Sequence, residues 1–434
     1  MLSNGYPQKF PKDPNKTKDW LIVDVTPLLH AKERAGLVIS GVERVLLEEL
    51  RYFSKCPEWS LRLYGSPIKK RYIPALQKNL PFLANYPVFD PNVSRFWRLI
   101  RLPWTFLLKV SARLRPFCFG AWEKYLSKII VFFWYLRPSR NFTFPGKAVF
   151  YSCFDAVAPE VASIRNLKKA VMIHDIYSFL RPDLADLRIL PLLVLFLANE
   201  RNADILFAVS EYTRQDYLSF YPSRNQKTMT TAYLGAAEQF ARDGGDPRKK
   251  YGIPEDCEYL LSVATLGKRK NLSRTIRCFA ELVRRYDFPK LRLVLCGRAF
   301  DDVQEILQTA RLNSDRVILT GFVEDGDMPG LYRHAAGYVF LSQYEGFGLP
   351  LLEAMQCKVP ILCSNVTSLP EIAGSAALYV APENDEEIIL GMWKLLQDAE
   401  LRQKLVVAGK ERVKEFSWRK HGEILNQKLR EVVL

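Results

Sequence analysis

Short apolar runs alternate with longer amphipathic stretches from about residue 21 onward. Leu21-Ile22-Val23-Asp24-Val25 predicts a first strand, and a helix opens near Ser40-Gly41-Val42-Glu43-Arg44 and runs to about Ser54. Leu61 to Tyr64 reads as a second strand. The pattern is interrupted over 65–147, and strands resume at Ala148–Tyr151 and Ala170–Ile173. A helical stretch over about 190–202 leads to another strand, Ile205–Val209. Ser210 then caps a helix with Glu211 in its first turn. Such alternation indicates a parallel sheet.

The run Ala241-Arg242-Asp243-Gly244-Gly245-Asp246-Pro247 is polar and turn-forming, as linkers are. Beyond it the alternation starts afresh. Strands are predicted at Tyr259–Val263, Leu291–Cys296, Val317–Leu319, Gly337–Leu341, Val359–Cys363 and Leu378–Val380, with an amphipathic helix over Asn271–Tyr286. The fold class is therefore α/β, with two doubly wound units facing a cleft. Ligands in such sheets bind beyond the carboxyl ends of the strands.

Composition narrows the class. At 434 residues, 48% hydrophobic and 25% charged, the chain is globular and long enough for two domains. No run approaches the roughly 20 apolar residues that span a bilayer, and Met1 to Lys18 lacks the apolar core of a signal peptide. The eight cysteines stand singly, and with four histidines no metal-ligand spacing emerges. A reducing, cytoplasmic setting is expected.

The net charge of +15 is concentrated. Residues 65–147 carry fifteen Lys or Arg against Asp90 and Glu123, so nearly all the excess sits there. The segment also holds Trp97, Trp104, Trp122 and Trp134. Aromatic rings interleaved with cations suit an anionic membrane surface. The other readings are a helical insertion with a solvated basic face and nucleic-acid binding; no nucleic-acid motif accompanies the charge. The expectation is peripheral docking on the inner face of the cytoplasmic membrane and no nucleic acid.

The most informative segment is Glu345-Gly346-Phe347-Gly348-Leu349-Pro350-Leu351-Leu352-Glu353, which follows a strand. Two glycines permit close backbone approach. Pro350 suits a helix start, and a helix N-terminus offers free N–H groups to an anion. Carboxylates flank the turn on both sides. A sugar nucleotide needs such a combination, although an ordinary strand-turn-helix with solvated acids fits the local pattern as well.

Glu345 to Glu353 resembles the E-x7-E motif of retaining glycosyltransferases with the GT-B fold, in particular glycosyltransferase family 4. Val263-Ala264-Thr265-Leu266-Gly267-Lys268-Arg269-Lys270-Asn271, Gly321-Phe322-Val323, Gln356-Cys357-Lys358-Val359-Pro360-Ile361 and Ser368-Leu369-Pro370-Glu371 follow the same family's pattern. The resemblance implies an N-terminal acceptor-side domain over 1–240, a nucleotide-sugar domain over 241–415, and a last helix, 416–434, that crosses back. It implies that Arg269 and Lys270 bind the donor diphosphate and stabilise charge that grows on it. Glu353 would hold the ribose hydroxyls and Glu345 would face the transferred sugar. Gly346, Phe347, Gly348 and Leu349 would form the sugar and diphosphate cradle, and Val323 would line the base pocket.

In the first half, His174 and Asp175 end a strand at a carboxyl edge, where the family carries a histidine near the reacting carbon. Ser40-Gly41-Val42-Glu43-Arg44 is similar to the family's glycine loop, with Glu43 in place of its second glycine. Gly41 and Arg44 would contact diphosphate or acceptor. Asp325-Gly326-Asp327 superficially matches a D-x-D metal motif, but its place before a helix suits capping acids. No metal or cofactor is expected.

The implied reaction moves a hexose or deoxyhexose, mannose or rhamnose by preference, from a GDP-, UDP- or dTDP-linked donor. The acceptor would be a glycan in surface polysaccharide or O-antigen assembly, on a polyprenyl-diphosphate carrier for instance. A transferase for a small soluble acceptor and an inactive GT-B scaffold are the alternatives.

Overall fold

Strands in this chain are short apolar runs with both faces covered, which is what a buried parallel sheet requires. The computed structural model describes residues 18–33, 41–66, 69–91, 141–154, 157–181, 183–184, 202–221, 229–242, 244–263, 268–297, 308 and 314–433. Among them the strands form two six-stranded sheets. The first contains β1 (Asp19–Asp24), β2 (Trp59–Tyr64), β3 (Ala148–Ser152), β4 (Lys168–Ile173), β5 (Ile205–Ala208) and β6 (Met229–Thr231) in the order β2-β1-β3-β4-β5-β6. The second contains β7 (Glu258–Val263), β8 (Leu291–Cys296), β9 (Val317–Gly321), β10 (Gly337–Phe340), β11 (Ile361–Ser364) and β12 (Ala377–Val380) in the order β12-β11-β10-β7-β8-β9. Every pairing is parallel; Leu21, for example, stands beside Leu61 and Val149.

The strand orders locate the site. In the second sheet the order reverses between β7 and β10, so the loops leaving these neighbours diverge and open a crevice at their carboxyl ends. Arg269 and Lys270 follow β7, and Glu345 follows β10. In the first sheet β4 ends at Ile173, which delivers His174 to its own carboxyl edge.

The helices that matter below are α1 (Gly41–Phe53), α2 (Glu211–Phe220), α3 (Leu272–Arg285), α4 (Met328–Arg333), α5 (Leu349–Gln356), α6 (Leu369–Ala373), α7 (Asp385–Gln397) and α8 (Trp418–Val433). In α3, Leu272, Thr275, Ile276, Phe279 and Leu282 are buried, an i, i+3, i+4, i+7 stripe that packs against α7. One apolar cluster runs through both units, from Leu21 and Leu46 to Leu351 and Phe416.

Helix α8 returns from the second unit to pack on α1, β3 and β4. Its stripe is His421, Gly422, Leu425, Leu429 and Val433. His421 Nδ1 faces the carbonyls of Ala232 and Tyr233, both at 3.2 Å, so that nitrogen carries a proton. Its Nε2 lies 2.9 Å from Glu49 Oε1, which also accepts from the Tyr151 hydroxyl at 2.7 Å. Gly422 is required by contact: a Cβ there would sit 2.3 Å from the Tyr52 ring. Gly422→Ala is expected to cost about 1–3 kcal/mol by overpacking, read as a lower urea midpoint and faster proteolysis of the C-terminal helix.

Several expectations need correction. Strand β6 is absent from the prediction because Met229-Thr230-Thr231 offers no apolar run, yet it extends the sheet beside β5. The interruption at 65–147 is not wholly an outgrowth: Ile73 and Leu83 are fully buried, and Val88 bridges to Leu63. Its residues 67–68 and 92–140, including the four tryptophans, lie outside the described residues, as do most of the helical stretch expected over 190–202 and the loop residues 264–267. No helix among the described residues is long and apolar enough to cross a membrane.

Candidate active site

The turn that leaves β10 is held by hydroxyl groups. Glu345 N–H donates to the Thr367 hydroxyl at 3.1 Å, and the Ser368 hydroxyl donates to the carbonyls of Glu345 and Phe347 at 2.9 and 3.1 Å. The Gly346 carbonyl accepts from Ser210 at 2.6 Å and Thr213 at 3.0 Å, both on the other unit. The carbonyls are thereby satisfied. The N–H groups of Phe347, Gly348 and Leu349 have no hydrogen-bond partner among the described residues. They lie at the start of α5, whose Gly348 N-cap has φ +99°, a left-handed conformation natural to glycine. Pro350 occupies the first turn as predicted.

Gly346 is a glycine for a reason the sequence did not show. A Cβ there would lie 1.8 Å from the His174 carbonyl oxygen. The close approach is between the two units.

Three charged side chains converge beside this turn. Arg269 Nη1 donates to Glu345 Oε2 at 2.8 Å and to the Tyr344 carbonyl at 2.8 Å. Lys270 Nζ donates to Glu345 Oε1 at 2.5 Å. The guanidinium also lies 4.9 Å from the centre of the Tyr177 ring, a cation–π contact from the opposite unit. Burial would raise the Glu345 carboxyl, but Arg269 and Lys270 outweigh it and hold it down to about 2. Burial, opposed by Glu345 and reinforced by Arg269, lowers the Lys270 ammonium below its ordinary value. Against its own burial, Arg269 is held above its ordinary value by Glu345 and Asp175.

Across the cleft, His174 Nε2 lies 2.7 Å from the Cys153 carbonyl, so the ring proton is on Nε2. Burial lowers its pKa and favours the neutral imidazole. Asp175 is raised by burial, with Arg269 and a hydrogen bond from Tyr177 N–H opposing.

A pH dependence follows. The Glu345 pairing contributes stability in full above about pH 4.5, the unfolded carboxylate's value, and loses it as pH falls toward about 2. His174 adds a second slope: below about pH 6.5 the unfolded chain takes up a proton that the buried ring resists. These two groups should therefore lower urea midpoints in acid over both windows, and Glu345→Gln should shrink the lower decline, which Asp246, held down to about 2 by its hydrogen bond from Arg248, shares.

Glu353 is buried on α5, and both oxygens are engaged. Arg44 of α1 reaches across to Oε1, and the Tyr332 hydroxyl donates to Oε2 at 3.0 Å. Arg44 also pairs with Asp325 at 3.4 Å. Two residues expected to contact ligand separately thus contact each other. Gly41 opens α1, and a Cβ there would meet nothing within 4 Å, so space does not demand glycine. Val323 is 7% exposed, while its neighbour Phe322 is 49% exposed.

The expected capping role of Asp325 and Asp327 is corrected. Asp327 takes the N-cap position of α4, but its side chain makes no cap bond. Its carboxylate accepts instead from Lys250 at 2.6 Å and Tyr251 at 2.7 Å, because two donors from the linker side outcompete the backbone. Tyr177, Tyr332 and Glu371 were not singled out by sequence; only Glu371 carried a signal, as the last residue of the Ser368–Glu371 match.

Residues 245–412 match the model of the family described as Glycosyl transferases group 1. Over 222 residues the chain is 32% identical to the O-antigen chain mannosyltransferase B of Escherichia coli, covering 50% of this chain and 58% of that relative. The chain thus spans little more than half that relative's length. Sucrose-phosphate synthase from Thermosynechococcus elongatus superposes with a TM-score of 0.65 at 16% identity, over 96% of this chain and 99% of that one. Anabaena HepE in complex with UDP and glucose superposes with a TM-score of 0.65 at 15% identity, over 96% and 100%. At these identities the likeness is one of fold. Residues 245–412 thus match the group 1 glycosyltransferase family, and the two doubly wound units have the GT-B fold of these solved structures.

Proposed function

We propose that the chain transfers a mannosyl residue from a nucleoside diphosphate sugar to a growing surface glycan, with retention at the anomeric carbon and without a metal. The observation that carries this reading is the convergence of Arg269, Lys270 and the unpartnered N–H groups at the start of α5. As the glycosidic bond stretches, negative charge grows on the departing diphosphate. Two fixed cations and a helix start stabilise it more in the transition state than in the ground state. Their fixed charge supplies what a divalent ion supplies elsewhere.

Glu345 pairs with both cations in this structure and offsets one of their two charges. A diphosphate carries more charge and competes for them, which leaves the carboxylate to receive sugar hydroxyls. The acceptor hydroxyl attacks from the face the diphosphate leaves, and its proton passes to a departing phosphate oxygen. His174, neutral and held by Cys153, stands on the opposite wall to contact the sugar. Glu353 is the ribose ligand; its Arg44 partner then turns toward diphosphate or acceptor. Phe322 and Val323 border the base.

The sugar is assigned as mannose from the name of the Escherichia coli relative, and the O-antigen setting likewise. The basic, tryptophan-rich segment docks the enzyme on anionic membrane beside a lipid-linked acceptor. Thermal-shift measurements with UDP, GDP, ADP and dTDP sugars in chelator identify the donor, since a ligand of the native state raises the melting temperature. Proton NMR of the first product then reads the anomeric configuration. An inverted product, or transfer that requires added magnesium, defeats the mechanism. Co-sedimentation with liposomes tests docking, and equal pelleting with and without anionic lipid defeats that part.

A further inference from the structure

The first N–H groups of a helix have no intrahelical partner. In α2 the Ser210 hydroxyl accepts from Thr213 N–H at 3.0 Å. The N–H groups of Glu211 and Tyr212 donate to Glu371 Oε1 and Oε2 at 2.7 and 2.8 Å. Glu371 lies on α6, in the second unit. A carboxylate of one unit therefore closes the helix start of the other, where the helix dipole and charge-assisted bonding both favour it.

The same helix start grips the donor-site turn. Ser210 and Thr213 hold the Gly346 carbonyl, and the Thr213 hydroxyl also lies 3.4 Å from the His174 carbonyl. Helix α2 is thus fixed to the second unit at Gly346, at Glu371 and, further along, at Asp216, which accepts from the Tyr344 hydroxyl. Of these, Gly346 and Glu371 hold the helix start and set its angle as well as its distance. Arg412 donates to the backbone carbonyl of Glu371 and steadies α6 from behind.

We propose that Glu371 is a positioning residue for transfer: its cross-unit cap on α2 sets the spacing between His174 and the Glu345–Leu349 turn. This rests on the reading of that turn as the donor site. Both carboxylate oxygens are engaged by α2, so Glu371 acts on assembly of the cleft rather than on nucleotide binding.

The test compares the full chain with Glu371→Gln, which replaces one acceptor oxygen by a donor facing a donor and removes the charge. Small-angle scattering without ligand should show a larger radius of gyration in the variant. GDP and UDP titrations should give dissociation constants within about twofold of wild type, while kcat falls about 10- to 100-fold, as small misplacements of reacting groups do. A folded variant with unchanged kcat, or with nucleotide affinity falling in step with kcat, overturns the proposal. If wild type transfers no sugar, the functional reading fails, and the scattering arm still decides: equal radii overturn the positioning role. Should Glu371→Gln not fold, Glu371→Asp, one methylene shorter with the charge kept, is measured in the same way with the same criteria.

Discussion

Lys270→Ala and Arg269→Ala are each expected to lower the rate of transfer by about 10²–10³, the loss typical of one preorganised charge-stabilising group. The loss should fall on kcat rather than on KM, because the charge these cations meet is larger in the transition state. The two should differ in stability. Arg269 also binds the Tyr344 carbonyl and lies over Tyr177, so its removal loosens both units. Lys270 serves Glu345 and lies 5.1 Å from the Phe340 ring, within one unit. Either deletion leaves the 7%-exposed Glu345 with one cation instead of two. A buried pair broken on one side costs about 3–5 kcal/mol, and the remaining cation should hold the cost below that. Steady-state kinetics with urea unfolding of each variant checks both statements. Full kcat in Lys270→Ala would remove its assigned role.

Gly346→Ala is expected to act from the opposite direction, by forcing the units apart. The new methyl would meet the His174 carbonyl oxygen at 1.8 Å and the Asp175 Cβ at 2.9 Å. Neither neighbour is the far end of a flexible side chain, so the seam must yield. We expect kcat to fall by at least about 10²-fold, as misplaced reacting groups do, with about 1–3 kcal/mol of stability lost. Nucleoside diphosphate binding should persist, because the cations and the start of α5 stay on one unit. Gly326→Ala is the control: a Cβ there meets nothing within 4 Å, and the melting temperature should hold.

Much of the fold was legible because its signals are local. Buried parallel strands are written as apolar runs, and Leu291–Cys296 matches its prediction residue for residue. The stripe of α3 and the Ser210 cap were visible for the same reason. Strand β6 was not, because three residues carry no period and only pairing with β5 makes them a strand.

The site divides along the same line. Within one unit, the residues from Glu345 to Glu353 pointed to the turn and its glycines, and the family resemblance of 263–271 pointed to the two cations. Between units, nothing local signals that Arg44 meets Glu353, that Gly346 lies under His174, or that Glu371 caps α2. Those partners are joined by the relative placement of two sheets. One trace was readable: Glu49 stands in the stripe of Val45, Leu46, Leu50 and Phe53, and a carboxylate on an apolar face requires a buried partner, here Tyr151 and His421.

The most direct measurement is the structure of the chain with its nucleoside diphosphate bound in chelator. The account predicts terminal phosphate oxygens within hydrogen-bond distance of Arg269, Lys270 and the N–H groups at the start of α5, with Glu345 released from at least one cation. A nucleotide bound elsewhere, or one that binds there only through an added divalent ion, would contradict it.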